Sequence, residues 1–194
     1  MINKTEITGI ILAGGKSSRM GSDKGFLLLK DIPFVQYSIN ALKPLVSEII
    51  IVSDSKDYDV FKLKRINDIT KDAGPVAGIC SGLEASKTEY NLILSCDIPL
   101  ITSTVLQKLI QAIDDTSEII QAESSGKSMP LIALYKRGIK DRFKNFLAQD
   151  ERRLRVAIKA CKYKNVVLNE IHQNSTLNVN TKEEFKQIED AYNG

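Results

Sequence analysis

The apolar positions of the chain come in two rhythms. Short unbroken apolar runs alternate with stretches in which apolar residues recur every three or four positions. Thr8–Leu12, Glu48–Val52 and Asn91–Ser95 are runs of the first kind. Continuous β-branched runs of this length suit strands covered on both faces, as in parallel sheets. Between them, Val35, Ile39 and Leu42 recur at helical spacing, with Pro33 opening the segment and Pro44 ending it. Pro75–Ala85 reads as a second helix, with Ile79 and Leu83 on one side. A third starts near Ser103, with Val105, Leu109 and Ile113 in one stripe. Lys64–Ile66 reads as a short edge strand. The order β-loop-α-β-α-β-α predicts a three-layer α/β/α fold with a mostly parallel, Rossmann-like sheet.

The pattern loosens after residue 115. Glu118–Ala122 and Leu131–Tyr135 read as strands joined through the polar residues 123–127. Residues 139–160 read as one charged helix. Thr181 with Glu184 three positions on forms a capping box for a last helix whose apolar face is Phe185, Ile188 and Tyr192. No repeat and no linker interrupts the chain. The expectation is a single domain over 1–194, in which 1–115 supplies one binding part and 116–194 a mixed second part.

Composition narrows the function classes. The chain has 194 residues, with 43% hydrophobic and 26% charged, which excludes general disorder. Net charge is +3, from 27 Lys+Arg against 24 Asp+Glu. That permits an anionic ligand, but no basic stripe suggests nucleic acid. Cys80, Cys96 and Cys161 are odd in number and far apart, which argues against a disulfide framework or zinc ribbon and for a reducing, cytoplasmic setting. No apolar stretch approaches the roughly 18 residues of a membrane span, and the polar start reads as no signal peptide. With His172 the sole histidine and no nucleophile near it, Ser-His-Asp hydrolysis has little support.

In open parallel sheets, ligands bind beyond the carboxyl ends of the strands. After the first strand stands Leu12-Ala13-Gly14-Gly15-Lys16-Ser17-Ser18-Arg19-Met20-Gly21-Ser22-Asp23-Lys24. Gly14 and Gly15 let the backbone bend close to a ligand, and successive amides in such a turn can cradle phosphate oxygens. Arg19 and Lys24 add two cations, a combination that suits a triphosphate. The spacing matches neither a P-loop nor a dinucleotide fingerprint, so a Rossmann dehydrogenase is disfavoured. After the third strand stands Asp97, where a carboxylate can hold Mg²⁺ against phosphates. Cys96 beside it reads as packing. Asp68 follows the edge strand and can accept from the N–H groups of a base, with Gly74 and Gly78 leaving room for a flat ring. Arg152, Arg153, Arg155 and Lys159 make a cationic cluster that reads either as a solvated helical face or as an anion site.

Taken together, Leu12-Ala13-Gly14-Gly15, Arg19-Met20-Gly21, Asp23-Lys24, Gly74-Pro75, Ala77-Gly78, Cys96-Asp97, Pro99, the 130–135 strand, Glu151-Arg152-Arg153 and Asn178-Val179-Asn180-Thr181 resemble the MobA-type nucleotidyltransferases, within them the molybdenum cofactor guanylyltransferases. The likeness runs through almost the whole chain. It implies a sheet of the nucleotide-diphospho-sugar-transferase type. It implies GTP and molybdopterin as substrates, Mg²⁺ as cofactor, transfer of GMP with release of pyrophosphate, and transient contact with other molybdenum-cofactor proteins. The roles it implies are nucleotide binding for Leu12, Ala13, Gly14, Gly15, Lys24, Asp68, Gly78 and Asp97, catalysis for Arg19, Lys24 and Asp97, metal binding for Asp97, and pterin-substrate binding for Arg153, Asn178 and Asn180. The pterin site would lie in 116–194. One position departs from the family: an Asn at the end of the second strand is here Val52, followed by Ser53 and Asp54. Its contact would pass to Ser53 or a backbone group. The alternatives are a cytidylyltransferase of the same cofactor, a sugar or polyol nucleotidyltransferase, and a catalytically silent nucleotide-binding module.

Overall fold

The structure is a computed structural model that describes residues 3–14, 23–70 and 73–193, with the side chains of 191 and 193 not described. In chain order the elements are β1 (Ile7–Leu12), β2 (Leu28–Leu29), β3 (Ile32–Pro33), α1 (Phe34–Leu42), β4 (Glu48–Val52), β5 (Lys64–Ile66), α2 (Gly74–Ala85), β6 (Tyr90–Ser95), α3 (Ser103–Gln111), β7 (Ile119–Ser124), β8 (Lys127–Lys136), α4 (Lys140–Ala148), α5 (Leu154–Lys159), β9 (Tyr163–Val167) and α6 (Lys182–Asn193). Short 3-10 turns join several of them.

Seven strands form one sheet in the order β5-β4-β1-β6-β8-β7-β9. All pairings are parallel except those of β8, which runs antiparallel to both β6 and β7. The expected mostly parallel three-layer sheet is therefore observed. Its core divides by the two-residue period of the strands. Ile7, Ile11, Ile49, Ile51, Leu92 and Leu94 face α1 and α3. Ile10, Val52, Ile93, Ala133 and Tyr135 face α2, α4 and α5. A third cluster joins Leu29 and Phe34 to Val179 and Ile188, which packs α6 beside the β2–β3 hairpin. This last contact brings the C-terminal segment to the carboxyl end of β6.

Two expectations in the second half are corrected, and one strand was not expected. Residues 123–127 are not a link: β7 and β8 run on to a two-residue turn at Ser125 and Gly126, both at positive φ (49° and 71°). Such turns match the twist of the flanking strands, so polar residues can extend a hairpin arm. The charged helix over 139–160 is broken. α4 ends at Ala148, Asp150 takes φ 56°, and α5 restarts at Leu154. An L-residue in the left-handed region cannot continue a helix. Finally, β9 gives no signal in the sequence because it is an edge strand with Tyr163, Lys164 and Val167 exposed, so it lacks the apolar run of a covered strand.

β8 carries a deep irregularity. Gln121 of β7 faces Ala133 of β8, but its neighbour Ala122 faces Met129. Residues 130–132 thus have no partner on β7. Pro130 has no N–H to give to a ladder, which suits a bulge. The bulge is pinned from inside: the buried Tyr135 donates its hydroxyl to the Pro130 carbonyl at 2.8 Å.

Candidate active site

The carboxyl ends of β5, β4, β1 and β6 open into a cavity of about 480 Å³. Leu12, Ala13 and Gly14 at the end of β1, Val52 and Ser53 at the end of β4, Asp68 after β5 and Gly74, Pro75 and Gly78 from α2 all line it. Gly14 has φ 149°, a conformation side chains rarely adopt. Gly15 and Arg19 lie outside the described residues.

Lys24 is presented by a short 3-10 turn, Lys24–Phe26. Asp23 caps that turn by accepting from the Gly25 amide at 3.0 Å. The same carboxylate oxygen accepts from the hydroxyl of the fully buried Tyr58 at 2.6 Å. Burial, with Cys96 and Asp23 beside it, pushes the Tyr58 hydroxyl far up, so it stays a proton donor. A Cβ on Gly25 would lie 2.1 Å from the Tyr58 oxygen, so only glycine fits there. The ammonium of Lys24 reaches Asp97 Oδ2 at 3.2 Å and Asn180 Oδ1 at 2.5 Å. Asp97 stands just past β6 and Asn180 just before α6. The Val179 amide donates to the Asp97 carbonyl at 2.9 Å, which ties the two segments together. Glu184 accepts from the amides of Asn180 (2.5 Å) and Thr181 (3.1 Å), and Thr181 caps the Glu184 amide in return. The predicted capping box therefore also fixes Asn180.

At the other wall, Asp68 accepts from the Ser81 hydroxyl at 3.1 Å through Oδ1. Its Oδ2 lies 3.9 Å from where a Cβ at Gly78 would stand, and Leu12 Cδ2 lies 3.2 Å from that point. A side chain at Gly78 would thus intrude between Leu12 and the carboxylate. Burial holds the Asp68 carboxyl above its ordinary range, with Asp54 adding to the shift and the hydrogen bonds opposing it. Val52 is buried and lines the cavity, and Ser53 beside it places a hydroxyl 3.7 Å from the Cβ position of Gly14. Cys96 is buried, and its thiol is pushed up by burial, with the Asp97 charge adding to it. That is a packing thiol.

The residues expected in the second half divide. Asn180 joins Lys24 and Asp97. Asn178 is exposed two residues before it. Arg153 is elsewhere: it stands just before α5, its side chain is 77% exposed, and Glu151 holds it with paired hydrogen bonds. It lines neither this cavity nor the second one described below. Sequence reasoning missed Tyr58 and the capping role of Asp23. The signal for Asp23 was present, since Asp followed two positions on by a glycine amide is a turn pattern. Tyr58 comes from a distant turn and left none.

Residues 9–166 match the family model of the MobA-like NTP transferase domain. The chain belongs to the MobA-like NTP transferase family. A probable molybdenum cofactor guanylyltransferase of Flavobacterium johnsoniae is 36% identical to this transferase over 182 residues, covering 94% of this chain and 96% of that one. The molybdenum cofactor guanylyltransferase of Serratia proteamaculans is 33% identical over 183 residues, covering 92% of each chain. Among solved structures, the molybdopterin-guanine dinucleotide biosynthesis protein A of Archaeoglobus fulgidus superposes with a TM-score of 0.81. It covers 96% of this transferase and 98% of its own length at 18% identity, a likeness of fold. Among the described residues no helix of the transferase is long and apolar enough to cross a membrane.

Proposed function

We propose that the chain transfers GMP from GTP to the terminal phosphate of molybdopterin, releasing pyrophosphate. The observation that carries this reading is the Lys24 ammonium bridging Asp97 and Asn180, next in the chain to Asp23 and two residues from Ser95, both of which line the glycine-bearing cavity. Both reactants are polyanions. Two unit charges about 4 Å apart repel by about 4 kcal/mol at an effective dielectric near 20, and several such pairs meet at the reacting centre. Neutralisation and alignment are therefore the main tasks of the site.

An oxygen of the acceptor phosphate attacks the α-phosphorus of GTP. A new P–O bond forms as the bond from the α-phosphorus to the bridging oxygen breaks, and pyrophosphate leaves with that electron pair. A phosphate monoester is already ionised, so no general base is needed. Lys24 stabilises charge on the α-phosphate, Arg19 the β- and γ-phosphates, and the Leu12–Gly15 segment holds the triphosphate with backbone amides. Asp68 accepts from the N1–H and exocyclic amine of guanine, with Gly78 leaving room for the ring.

The family's divalent cation fits the oxygens present. Asp97 Oδ2 and Asn180 Oδ1 already hold one positive group, the Lys24 ammonium. Among the described residues no cluster of three or more His, Cys, Asp or Glu could hold a metal, so Asp97 would share the ion with substrate phosphates, the usual manner of Mg²⁺. When bound, Mg²⁺ on Asp97 supplies Lewis-acid polarisation of the α-phosphate.

We further read 1–194 as one domain, with 1–115 serving the nucleotide and 116–194 the pterin through Arg153, Asn178 and Asn180. A cytoplasmic setting fits the three free, buried cysteines. Proteins that take up the dinucleotide cofactor are the partners this reading implies. The test is pyrophosphate release with each of the four nucleoside triphosphates, with and without molybdopterin. Release with GTP that depends on molybdopterin is expected. Preference for CTP, or release only with a sugar or polyol phosphate, would replace the reading by one of its rivals. Nucleotide binding without any release would make the chain a silent binding module.

A further inference from the structure

The walls on the two sides of the β8 bulge are held in different ways. A second cavity, of about 310 Å³, lies beyond the bulge; Pro130 lines it, while the next residue, Leu131, lines the first. Lys127, Arg155 and Lys159 line the second cavity too, and among the described residues none of them meets a carboxylate. Its Gln121 is 3% exposed and donates from Nε2 to Asn165 Oδ1 at 2.9 Å. That orientation follows because Asn165 turns its own Nδ2 to the Glu123 carboxylate, at 2.6 Å. The first cavity is held instead by an arginine that stands behind it.

Arg65 is the middle residue of the edge strand β5. Its side chain is 14% exposed, and it lines neither cavity. Its guanidinium reaches three segments. Nε donates to Asp59 Oδ1 at 2.7 Å, in the 3-10 turn Lys56–Phe61 between β4 and β5. The two hydrogens of Nη1 go to the Ser53 carbonyl at 2.9 Å and to Asn67 Oδ1 at 2.7 Å. A planar fork has fixed donor directions, so it satisfies all three acceptors only while the segments keep their spacing. A lysine, with one ammonium on a flexible stem, could not enforce that spacing.

Each arm of the fork ends behind a different wall of the first cavity. Asp59 follows Tyr58, whose ring lies 4.7 Å from that of Phe26 and whose hydroxyl donates to Asp23 at 2.6 Å. Asp23 and Phe26 flank and close the turn that presents Lys24. Asn67 precedes Asp68, whose amide donates to Asp54 Oδ1 at 3.2 Å. Ser53, Asp54 and Asp68 line the cavity themselves. We propose that Arg65 is a positioning residue: its guanidinium sets the support of Lys24 and the segment of Asp68 in one register, so that α-phosphate and base are gripped at a fixed spacing. The inference rests on the roles proposed above for Lys24 and Asp68, and adds to them a residue that touches no substrate. Its loss need not release the strand. The Ser53 amide still donates to the Ile66 carbonyl at 2.9 Å, and β5 keeps its pairing with β4.

The test cuts the fork whole and then arm by arm. Arg65→Met keeps the stem and removes the donors. Its GTP affinity, by calorimetric titration without molybdopterin, and its kcat for pyrophosphate release should each fall about tenfold, with KM for molybdopterin within about twofold of wild type. Its preference for GTP over inosine triphosphate, which lacks the exocyclic amine offered to Asp68, should shrink about threefold. Arg65→Lys keeps the charge and should behave like Arg65→Met. Asp59→Ala cuts the arm toward Lys24 and should lower kcat about fivefold with GTP affinity nearly unchanged. Asn67→Ala cuts the arm toward Asp68 and should lower GTP affinity about fivefold with kcat nearly unchanged. Asp59 and Asn67 are exposed, so both variants are expected to fold even if Arg65→Met does not. Arg142→Met breaks another arginine–carboxylate pair, with Glu118, away from the cavity and should leave every constant unchanged. Unchanged GTP affinity and kcat in Arg65→Met, full activity of Arg65→Lys, or equal effects of the two single-arm variants on both constants would each overturn the positioning role. Pyrophosphate release with a different nucleotide in the wild type would overturn the guanylyl reading instead. A fall in that nucleotide's affinity on Arg65→Met would then still support the tie between the walls.

Discussion

The two cavities differ in the described side chains that line them. The first is lined by backbone, by glycines and by the carboxylates of Asp23, Asp54 and Asp68. The Lys24 ammonium, on the residue after the lining Asp23, is engaged by Asp97 and Asn180. The second is lined by Lys127, Arg155 and Lys159 without acidic partners. On the reading proposed above, Arg19, backbone amides and the divalent cation would offset the carboxylates of the first around a bound triphosphate. In the second, Lys127, Arg155 and Lys159 meet no carboxylate among the described residues.

This contrast stands or falls first at Asp97. Asp97→Ala should lower pyrophosphate release by about a thousandfold, because the proposed ion and the Lys24 ammonium lose their shared oxygen. Its melting temperature should stay close to that of the wild type, since the side chain is partly exposed and its one ion pair contributes little to stability. Metal-dependent release near wild-type rate would remove Asp97 from the reaction. Lys24→Met should cost about a hundredfold in kcat. Salt bridges at partly exposed sites contribute little to stability, so thermal denaturation should barely register the change. A large loss of stability would show Lys24 to be structural.

The Tyr58–Asp23–Gly25 buttress sets the cavities further apart, because the second has no equivalent support for its lysines among the described residues. Tyr58→Phe should lower stability by about 1 kcal/mol through the lost hydrogen bond. It should also lower kcat by about tenfold while leaving KM for molybdopterin alone, because Lys24 rides on the turn that Asp23 caps. Gly25→Ala should do worse on both counts, since its Cβ would overlap the Tyr58 oxygen. Equal effects on both substrates would mean general loosening.

The smallest effects are expected at Asp68. Burial raises its pKa, so the folded chain holds this proton more tightly than the unfolded one. Its contribution to stability is therefore fully present at low pH and is lost as pH rises through the raised folded value. Asp68→Asn should flatten that decline and lift the melting temperature slightly at neutral pH. On the proposed role GTP affinity has the opposite sign, because the ionised carboxylate would be the one to accept from guanine. It should rise with pH over the same window, upward from the ordinary carboxylate range, and the Asp68→Asn variant should lose most of that rise. Calorimetric titration of GTP at several pH values checks both.

Much of the first half was legible because each choice there is local. Covered parallel strands must be apolar on both faces, so Ile49-Ile50-Ile51 declares itself without context. Lys64–Ile66 could be placed by its position between turns. The second half resisted because its signals are shared between strands. Ser125-Gly126 looks like a polar link until β7 is seen against β8. The break after Ala148 depends on one residue, Asp150, in a conformation no composition reports. In the site, Asp97 and Lys24 were named from the strand-end rule and the family likeness, yet the contact of Lys24 with Asn180 spans 156 positions of sequence. Arg153 was named through the likeness of Glu151-Arg152-Arg153 to the family, whereas its pairing with Glu151 shows only in the fold.

Contiguous residues were enough to specify the parallel half of the sheet, the glycine loop after its first strand and the carboxylate after its third, because periodicity and strand-end position are local properties. Which cations stay unpaired and where Gln121 points were settled only by packing. Packing also set Tyr58 behind Lys24 and placed the bulge between two cavities. Such facts depend on distances between segments far apart in the chain, and burial or pairing is fixed only when those segments meet.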